Sequence, residues 1–387
     1  MAVGAAYPRG FAAAGVTAGI KASGRPDIAV VAAERTVPAA AVFTRSRTAA
    51  PPVAVSRRAI ADGRARAVLV QSGNANAATG ERGLRDAERM VALAAQALGC
   101  DAADVLVAST GVIGVPLPMD RVEPGIAAAV GALAPDGGAD AAAAIMTTDN
   151  APKTAQRDVA GARVGGMAKG AGMIRPDLGT MIAVVTTDAE LDAAQADRIL
   201  RGAVDRSFNR ITVDGCASTS DMVALLASGE AGVVDETALA DAVGSVCEDL
   251  ALQIVRDGEG ARRIARWAVT GAADDAEART VAYAAAEAQL VRCALHGGDP
   301  NWGRIIAAIG ASGAAIDPDR IAIAIGGIPL CADGVAVPVA DPAALDRAAA
   351  QDTVEIAIGL GDGPGEALVL GADLSQAYVE LNAEYTT

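Results

Sequence analysis

Short apolar runs alternate with amphipathic stretches and polar turns along the whole chain. That rhythm predicts a mixed α/β (α+β) architecture. "RAVLVQ" (66–71) reads as a buried strand that empties into the polar turn Ser72-Gly73-Asn74-Ala75-Asn76. In "RGLRDAERMVALAAQALG" (82–99), Leu84, Val91 and Leu98 share one helical face and Gly99 is the stop. "DVLVA" (104–108) predicts a second strand that ends at Ser109-Thr110-Gly111, before the proline and glycine of "GVIGVPLPMD". "GALAPDGGAD" (131–140) reads as an exposed turn region, and "IMTTDN" (145–150) as the end of another apolar segment.

The β-branched run "TMIAVVTT" predicts a strand followed by a helix capped by Asp188 and reaching about residue 204. A second helix starts behind Asp235, holds Leu239, Val243, Val246, Leu250 and Ile254 in register, and stops at Gly258, just before Glu259. Further on, "RIARWAVTG" (263–271) predicts a strand, and residues 275–295 one long alanine-rich helix that ends at His296. A helix resumes near Arg304. "RIAIAIGGIPL" and "DTVEIAIGLG" are strand-like, and the terminal "AYVELNAEYTT" alternates before ending in small polar residues.

Composition narrows the function classes. The 387 residues carry a formal net charge of -15 without a dense Lys/Arg stripe, which argues against a nucleic-acid partner. No run reaches the roughly 20 apolar residues of a membrane span. The N-terminus lacks the pattern of a signal peptide, so a cytoplasmic protein is expected. The five cysteines, Cys100, Cys216, Cys247, Cys293 and Cys331, are scattered and read as free thiols. His296 is the only histidine, so multi-histidine metal sites are excluded and any Ser-His-Asp triad would depend on it. Cys293 and His296 have no companion ligands, and His296 is expected to order the "GGDPNWG" loop. "GLGDGPG" (359–365) reads as a turn, and Lys169 is not part of a phosphate-binding loop.

Hydroxyl nucleophiles remain. Thr180 stands between Gly179 and an apolar strand, in "KGAGMIRPDLGTMIAVVTTDA" (169–189). A threonine hydroxyl needs a base, and one base requires no histidine: the residue's own α-amine. Its pKa of about 7.7–8.0, against about 10.4 for lysine, lets it accept a proton near neutrality. In mid-chain that amine exists only after the Gly179–Thr180 bond has broken.

This segment resembles the self-cleavage region of the ArgJ family, the glutamate N-acetyltransferases also called ornithine acetyltransferases. "SGNANA", "ASTGVIG" (108–114), "IMTTDN", "VDGCASTSDM" (213–222), "DGEGA" (257–261), "GDPNWGRI" (298–305) and "LNAEYTT" resemble the family's other blocks, in the family's order and over nearly the whole chain. The resemblance implies a layered α/β/β/α catalytic domain over about residues 1–255, spanning the cleavage point, and a smaller α/β domain over 256–387 whose tail returns to the site. Cleavage would yield an α chain, 1–179, and a β chain, 180–387, assembled as an α2β2 heterotetramer. Thr180 would take an acetyl group from N2-acetyl-L-ornithine and pass it to L-glutamate by ping-pong kinetics. Thr110 and Gly111 match the family's oxyanion hole, and Thr147, Lys169, Thr180, Glu259, Asn382 and Thr387 its substrate-binding positions. Thr147 rather than Thr148 is assigned. No metal or cofactor is implied, with acetyl-CoA left open as a second donor.

There are departures. Gly179 stands where the family more often has alanine, and Cys216 and Ser220 where it commonly has aspartate and asparagine, so no catalytic role is assigned to those two. The alternative reading is a self-cleaving amidase or aminopeptidase of the same fold. A third, in another class, is an uncleaved binding protein.

Overall fold

A computed structural model describes residues 2–175 and 181–384 of the chain. Two compact units emerge. The first runs to Asn209 and resumes over Cys216–Ile254, and the second takes Arg210–Gly215 and continues from Val255.

In chain order the first unit contains β1 (Phe11–Val16), β2 (Ile28–Phe43), α1 (Pro51–Ala59), β3 (Arg64–Asn74), α2 (Gly80–Leu98), β4 (Val105–Val112), α3 (Met119–Gly131), α4 (Gly138–Ala144), β5 (Lys153–Val159), β6 (Ala162–Lys169), β7 (Ile182–Ala189) and α5 (Ala193–Arg206). The strand β8 (Ile211–Thr212) belongs to the second unit. The first then closes with β9 (Met222–Gly232) and most of α6 (Glu236–Arg256).

Among the described residues the sheet order is β4-β3-β2-β9-β7-β6-β5, with β1 also on β2. The 16-residue β2 serves two half-sheets. Its first part pairs with β1 and β3, and its last part, from Ala39, with β9. The register shifts between Ala32 and Val37, next to Pro38, which has no N–H to give a ladder. Because side chains alternate along a strand, β2 buries two surfaces. Ala29, Val31, Val37, Ala39 and Phe43 face a core shared with Val68 and Leu106 of one half-sheet and Met167, Val184 and Leu226 of the other. Ile28 and Val30 face a second core built with Met90 of α2 and Ile126 of α3. On the opposite outer face, Val246 and Leu250 of α6 lie against Gly166 of β6. Helix, sheet, sheet, helix is therefore the layering of this unit, as expected.

The second unit adds β10 (Ile264–Gly271), α7 (Asp275–Glu287), α8 (Gln289–Gly297), α9 (Trp302–Gly310), β11 (Ala322–Ile325), β12 (Ile328–Ala332), β13 (Val335–Ala336), α10 (Pro342–Ala349), β14 (Thr353–Gly359), β15 (Gly363–Ala372) and α11 (Gln376–Glu384). Its sheet runs β13-β12-β11-β14-β10-β15-β8, over a core that includes Trp267, Val281, Ile309 and Ile356.

Several expectations need correction. β4 does not stop before Thr110 but continues through it to Val112. Gly137 and Gly138, in the turn region expected to be exposed, are buried, because a Cβ on them would meet the carbonyls of Ala13 and Val3. Helix α5 is capped by Asp192, whose side chain and that of Gln195 close a reciprocal capping box. Asp188 is instead buried in β7, accepting hydrogen bonds from the Arg163 amide and from Arg9. The long alanine-rich helix is two helices, broken at Ala288, where ψ is 116°. The His296 side chain bonds Asp373 rather than the loop after it, and Asn301 at the end of that loop caps α9 by accepting the Arg304 N–H. Of the terminal segment, Gln376–Glu384 form the helix α11.

Candidate active site

The ends of β4 and β6 meet at one edge of the first unit. Thr110 is buried near the end of β4, and Lys169 is the last residue of β6, 3% exposed. Its ammonium donates to the Thr110 hydroxyl at 3.4 Å. Next to Thr110, Gly111 adopts φ +129°, a region that disfavours every side chain. A Cβ there would stand 2.4 Å from the Gly73 carbonyl carbon. The register slips at the same point, where Asn74 pairs with both Thr110 and Val112. Glycine at 111 thus lets β3 and β4 close tightly while the strand turns out of its ladder. The first three residues of "SGNANA" complete β3 rather than form the expected turn, and the segment fastens the chain beyond β4: the Asn74 amide donates to the Val115 carbonyl, and the Gly114 N–H to that of Ala77.

Behind this edge lies a buried carboxylate. Asp149, 3% exposed, accepts the Thr147 N–H on Oδ2 at 2.9 Å. Its Oδ1 accepts the Gly170 N–H at 2.7 Å and the Lys153 ammonium at 2.7 Å. Burial alone would raise its pKa. The nearby charges of Lys169 and Lys153 and these hydrogen bonds outweigh that and bring it down to about 2. Lys21 stands close enough to feel both Asp149 and Lys169, and burial lowers it to about 8. Its ammonium donates to the Pro26 and Ala144 carbonyls.

A second buried carboxyl, Asp221, follows the opposite rule. It is 1% exposed, and its Oδ1 accepts the N–H of Met181, the residue before β7, at 2.7 Å. Desolvation holds its pKa well above the usual carboxylate range, only partly offset by the Met181 amide, Lys169 and the Thr44 and Ser218 hydroxyls.

Within the second unit, Asn382 donates to Glu259 Oε2 at 2.8 Å and to the Tyr378 carbonyl at 3.0 Å. The seat of α11 holds this pair. The Ser375 hydroxyl donates to the Gly260 carbonyl and accepts the Tyr378 N–H. The buried Arg292 guanidinium donates to the Val213, Ala372 and Asp373 carbonyls. Asp373 also accepts the Arg262 N–H and pairs with His296 Nδ1 at 2.7 Å.

Of the residues proposed from sequence, Thr110, Gly111 and Lys169 are brought together, with Thr147 tied to the Lys169–Gly170 segment through Asp149. Glu259 and Asn382 are also brought together. Gly179, Thr180 and Thr387 lie outside the described residues. The sequence reading missed Lys21, Asp149, Lys153 and Asp221. Asp149 and Asp221 fall inside the quoted motifs, but nothing in a linear string shows that a carboxylate is buried. The lysines did leave a signal, since the chain has 29 arginines and only three lysines.

A family model described as the ArgJ family matches residues 12–387. The chain belongs to the ArgJ family. The arginine biosynthesis bifunctional protein ArgJ of Symbiobacterium thermophilum is 48% identical, over 100% of this chain and 99% of that protein. Its namesake from Streptomyces coelicolor is 46% identical, over 98% of each. A solved chain of the Bacillus halodurans ArgJ is 40% identical with a TM-score of 0.49, covering 52% of this chain and 97% of its own. As an ArgJ protein the chain is an acyltransferase of arginine biosynthesis acting on small molecules. Among the described residues no helix is long and apolar enough to cross a membrane.

Proposed function

We propose that this chain cuts itself between Gly179 and Thr180 and then moves acetyl from N2-acetyl-L-ornithine to L-glutamate. Hydrolysis of that peptide bond takes up one water and leaves a Gly179 carboxylate and a Thr180 α-amine. The amine accepts the Thr180 hydroxyl proton as the oxygen attacks the acetyl carbonyl. Collapse of the tetrahedral intermediate breaks the C–N bond, and the departing ornithine amine takes the proton. Glutamate's amine then attacks the acetyl ester in the reverse sequence, which yields N-acetylglutamate and regenerates the hydroxyl.

The observation that carries this reading is the junction of Lys169, Thr110 and Gly111. It supplies a hydroxyl and a backbone N–H beside a fixed cation, donors suited to an oxyanion; one such donor is worth about 3–4 kcal/mol. Thr147 and Lys169 serve as substrate contacts on this reading, with Thr387 at the tail. The Glu259 carboxylate, steadied by Asn382, suits the ornithine ammonium. The two cleaved chains, 1–179 and 180–387, are proposed to remain together as an α2β2 heterotetramer in the cytoplasm, without a resident cofactor.

Intact-mass measurement with N-terminal sequencing tests the cleavage. Two fragments are expected, one beginning Thr180-Met181-Ile182, and Thr180→Ala should abolish both cleavage and turnover. A fully active uncut chain overturns the mechanism. Labelled acetylornithine with and without glutamate separates transfer from hydrolysis. Acetate release indifferent to glutamate would favour an amidase. A parallel assay with acetyl-CoA and glutamate tests the second donor, which the word bifunctional in the relatives' names motivates.

A further inference from the structure

The chain meets its need for positive charge almost entirely with arginine, 29 times against three lysines. Those three lysines sit in one neighbourhood. Lys153 and Lys169 both lower the Asp149 pKa, and Lys21 senses Asp149 and Lys169 in turn. Lys153 and Lys169 are 2% and 3% exposed. A guanidinium is planar and wide, carries five donors and stays charged, whereas an ammonium is compact and rotates its three donors freely. A buried point charge against a single carboxylate oxygen calls for the second.

Asp149 makes this cluster mechanical as well as electrostatic. One oxygen holds the backbone N–H of Thr147, and the other holds that of Gly170, next to Lys169. Two segments more than 20 residues apart are thereby clamped to one rigid group. Lys153 Nζ also bonds the oxygen that holds Gly170. A carboxylate accepts all three donors. An asparagine accepts only through its oxygen and turns an NH2 toward one of them.

We infer that Asp149 is a positioning residue for acetyl transfer: through Thr147 and Lys169 it sets the geometry of the substrate contacts and, together with Lys153, the charge state of Lys169. The inference rests on the proposed reading in which Lys169 and Thr147 meet substrate. Among the described residues, the charged groups coupled to Lys169 include Asp149, Lys21 and Asp221, and Lys153 joins them through Asp149. Around Asp149, Lys153 and Lys169 the formal charge is +1. It becomes +2 in Asp149→Asn, 0 in Lys153→Met, and returns to +1 in the double variant.

Two readouts decide the matter. The first uses lysine labelled with 13C at the ε carbon. Only three signals arise from the whole chain, each assigned by replacing one lysine. On titration, removing an opposite charge should place the Lys169 midpoint lower in Asp149→Asn, removing a like charge should place it higher in Lys153→Met, and the double variant should return it near its original value. The second is kcat and KM for acetyl transfer across pH. Asp149→Asn should lose kcat by about tenfold or more, since an ångström of misplacement can cost on the order of 10²-fold. The alkaline limb of its kcat/KM profile should follow the Lys169 midpoint in all three variants.

A purely structural Asp149 would lower the melting temperature without shifts of opposite sign in the two single variants. Unchanged Lys169 midpoints in Asp149→Asn and Lys153→Met overturn the inference. If Asp149→Asn does not fold, Lys153→Met and the double variant still give two of the three predicted midpoints. An absence of acetyl transfer in the unmodified protein would instead defeat the functional reading, and the lysine titration would still report on the clamp.

Discussion

Asp149 and Asp221 are both buried carboxyls, yet their environments drive them in opposite directions. Asp149 has two cations and two backbone N–H groups around it, so its folded pKa falls to about 2. Its stabilising contribution is therefore present above the unfolded value and is lost as pH drops from about 4 toward 2. That contribution amounts to about 2 kcal/mol. At Asp221 desolvation outweighs the polar partners, and its folded pKa is raised. Its contribution is present below the unfolded value and is lost as pH climbs through the folded one. Urea unfolding across pH should show the difference. Relative to the unmodified protein, Asp221→Asn should gain stability as pH rises above about 4, while Asp149→Asn should fall furthest behind at neutral pH and close the gap as pH drops from about 4 toward 2. Parallel curves for the two variants would contradict these assignments.

At the scale of an element, β7 and α5 show how one acidic residue differs from its neighbour. Asp192 caps α5 in a reciprocal box at the surface, and losing such a cap costs about 1 kcal/mol. Asp188 is fully buried at the end of β7, where it collects the Arg163 amide on one oxygen and Arg9 on the other. Removing it leaves the Arg163 N–H without this acceptor and breaks the tie to Arg9. Asp188→Ala should therefore cost more than Asp192→Ala, about 2–3 kcal/mol against about 1, in chemical denaturation. The reverse order would mean that Asp188 is the cap after all. Both residues belong to the same "TTDAELDA" run, and a helix signature alone does not separate them. The separation comes from β6, whose Arg163 amide reaches Asp188 only once the strands pair.

At the scale of the molecule, each unit has its own apolar core, and the chain crosses between them more than once. Residues 210–215 leave the first unit to lay β8 beside β15, so the second unit is not a simple C-terminal extension. Trp267 is the large side chain at the centre of the second core, 1% exposed. Trp267→Ala should destabilise that core by about 3–5 kcal/mol. Hydrogen exchange should then accelerate in β10, β14 and β15 and remain slow in β3, β7 and β9. Equal acceleration throughout would show a single cooperative unit.

Periodicity alone located some of the elements but not β2, β6 or β9. β3, β7, β10 and α6 stand where the apolar spacing put them, because that spacing is a local property and burial enforces it. The long motifs around Thr110, Lys169 and Glu259 also made the family legible before any geometry was known. The tertiary structure decided what local pattern does not encode. It carried β4 through Thr110, since a slipped register with β3 leaves room only for a glycine at 111. It broke the 275–295 helix at Ala288, and it made Gln376–Glu384 a helix that brings Asn382 to Glu259. Above all, it gathered the three lysines around Asp149. Burial and charge pairing depend on which distant segments come together, and those contacts turned an ordinary "TTDN" into the clamp behind the site.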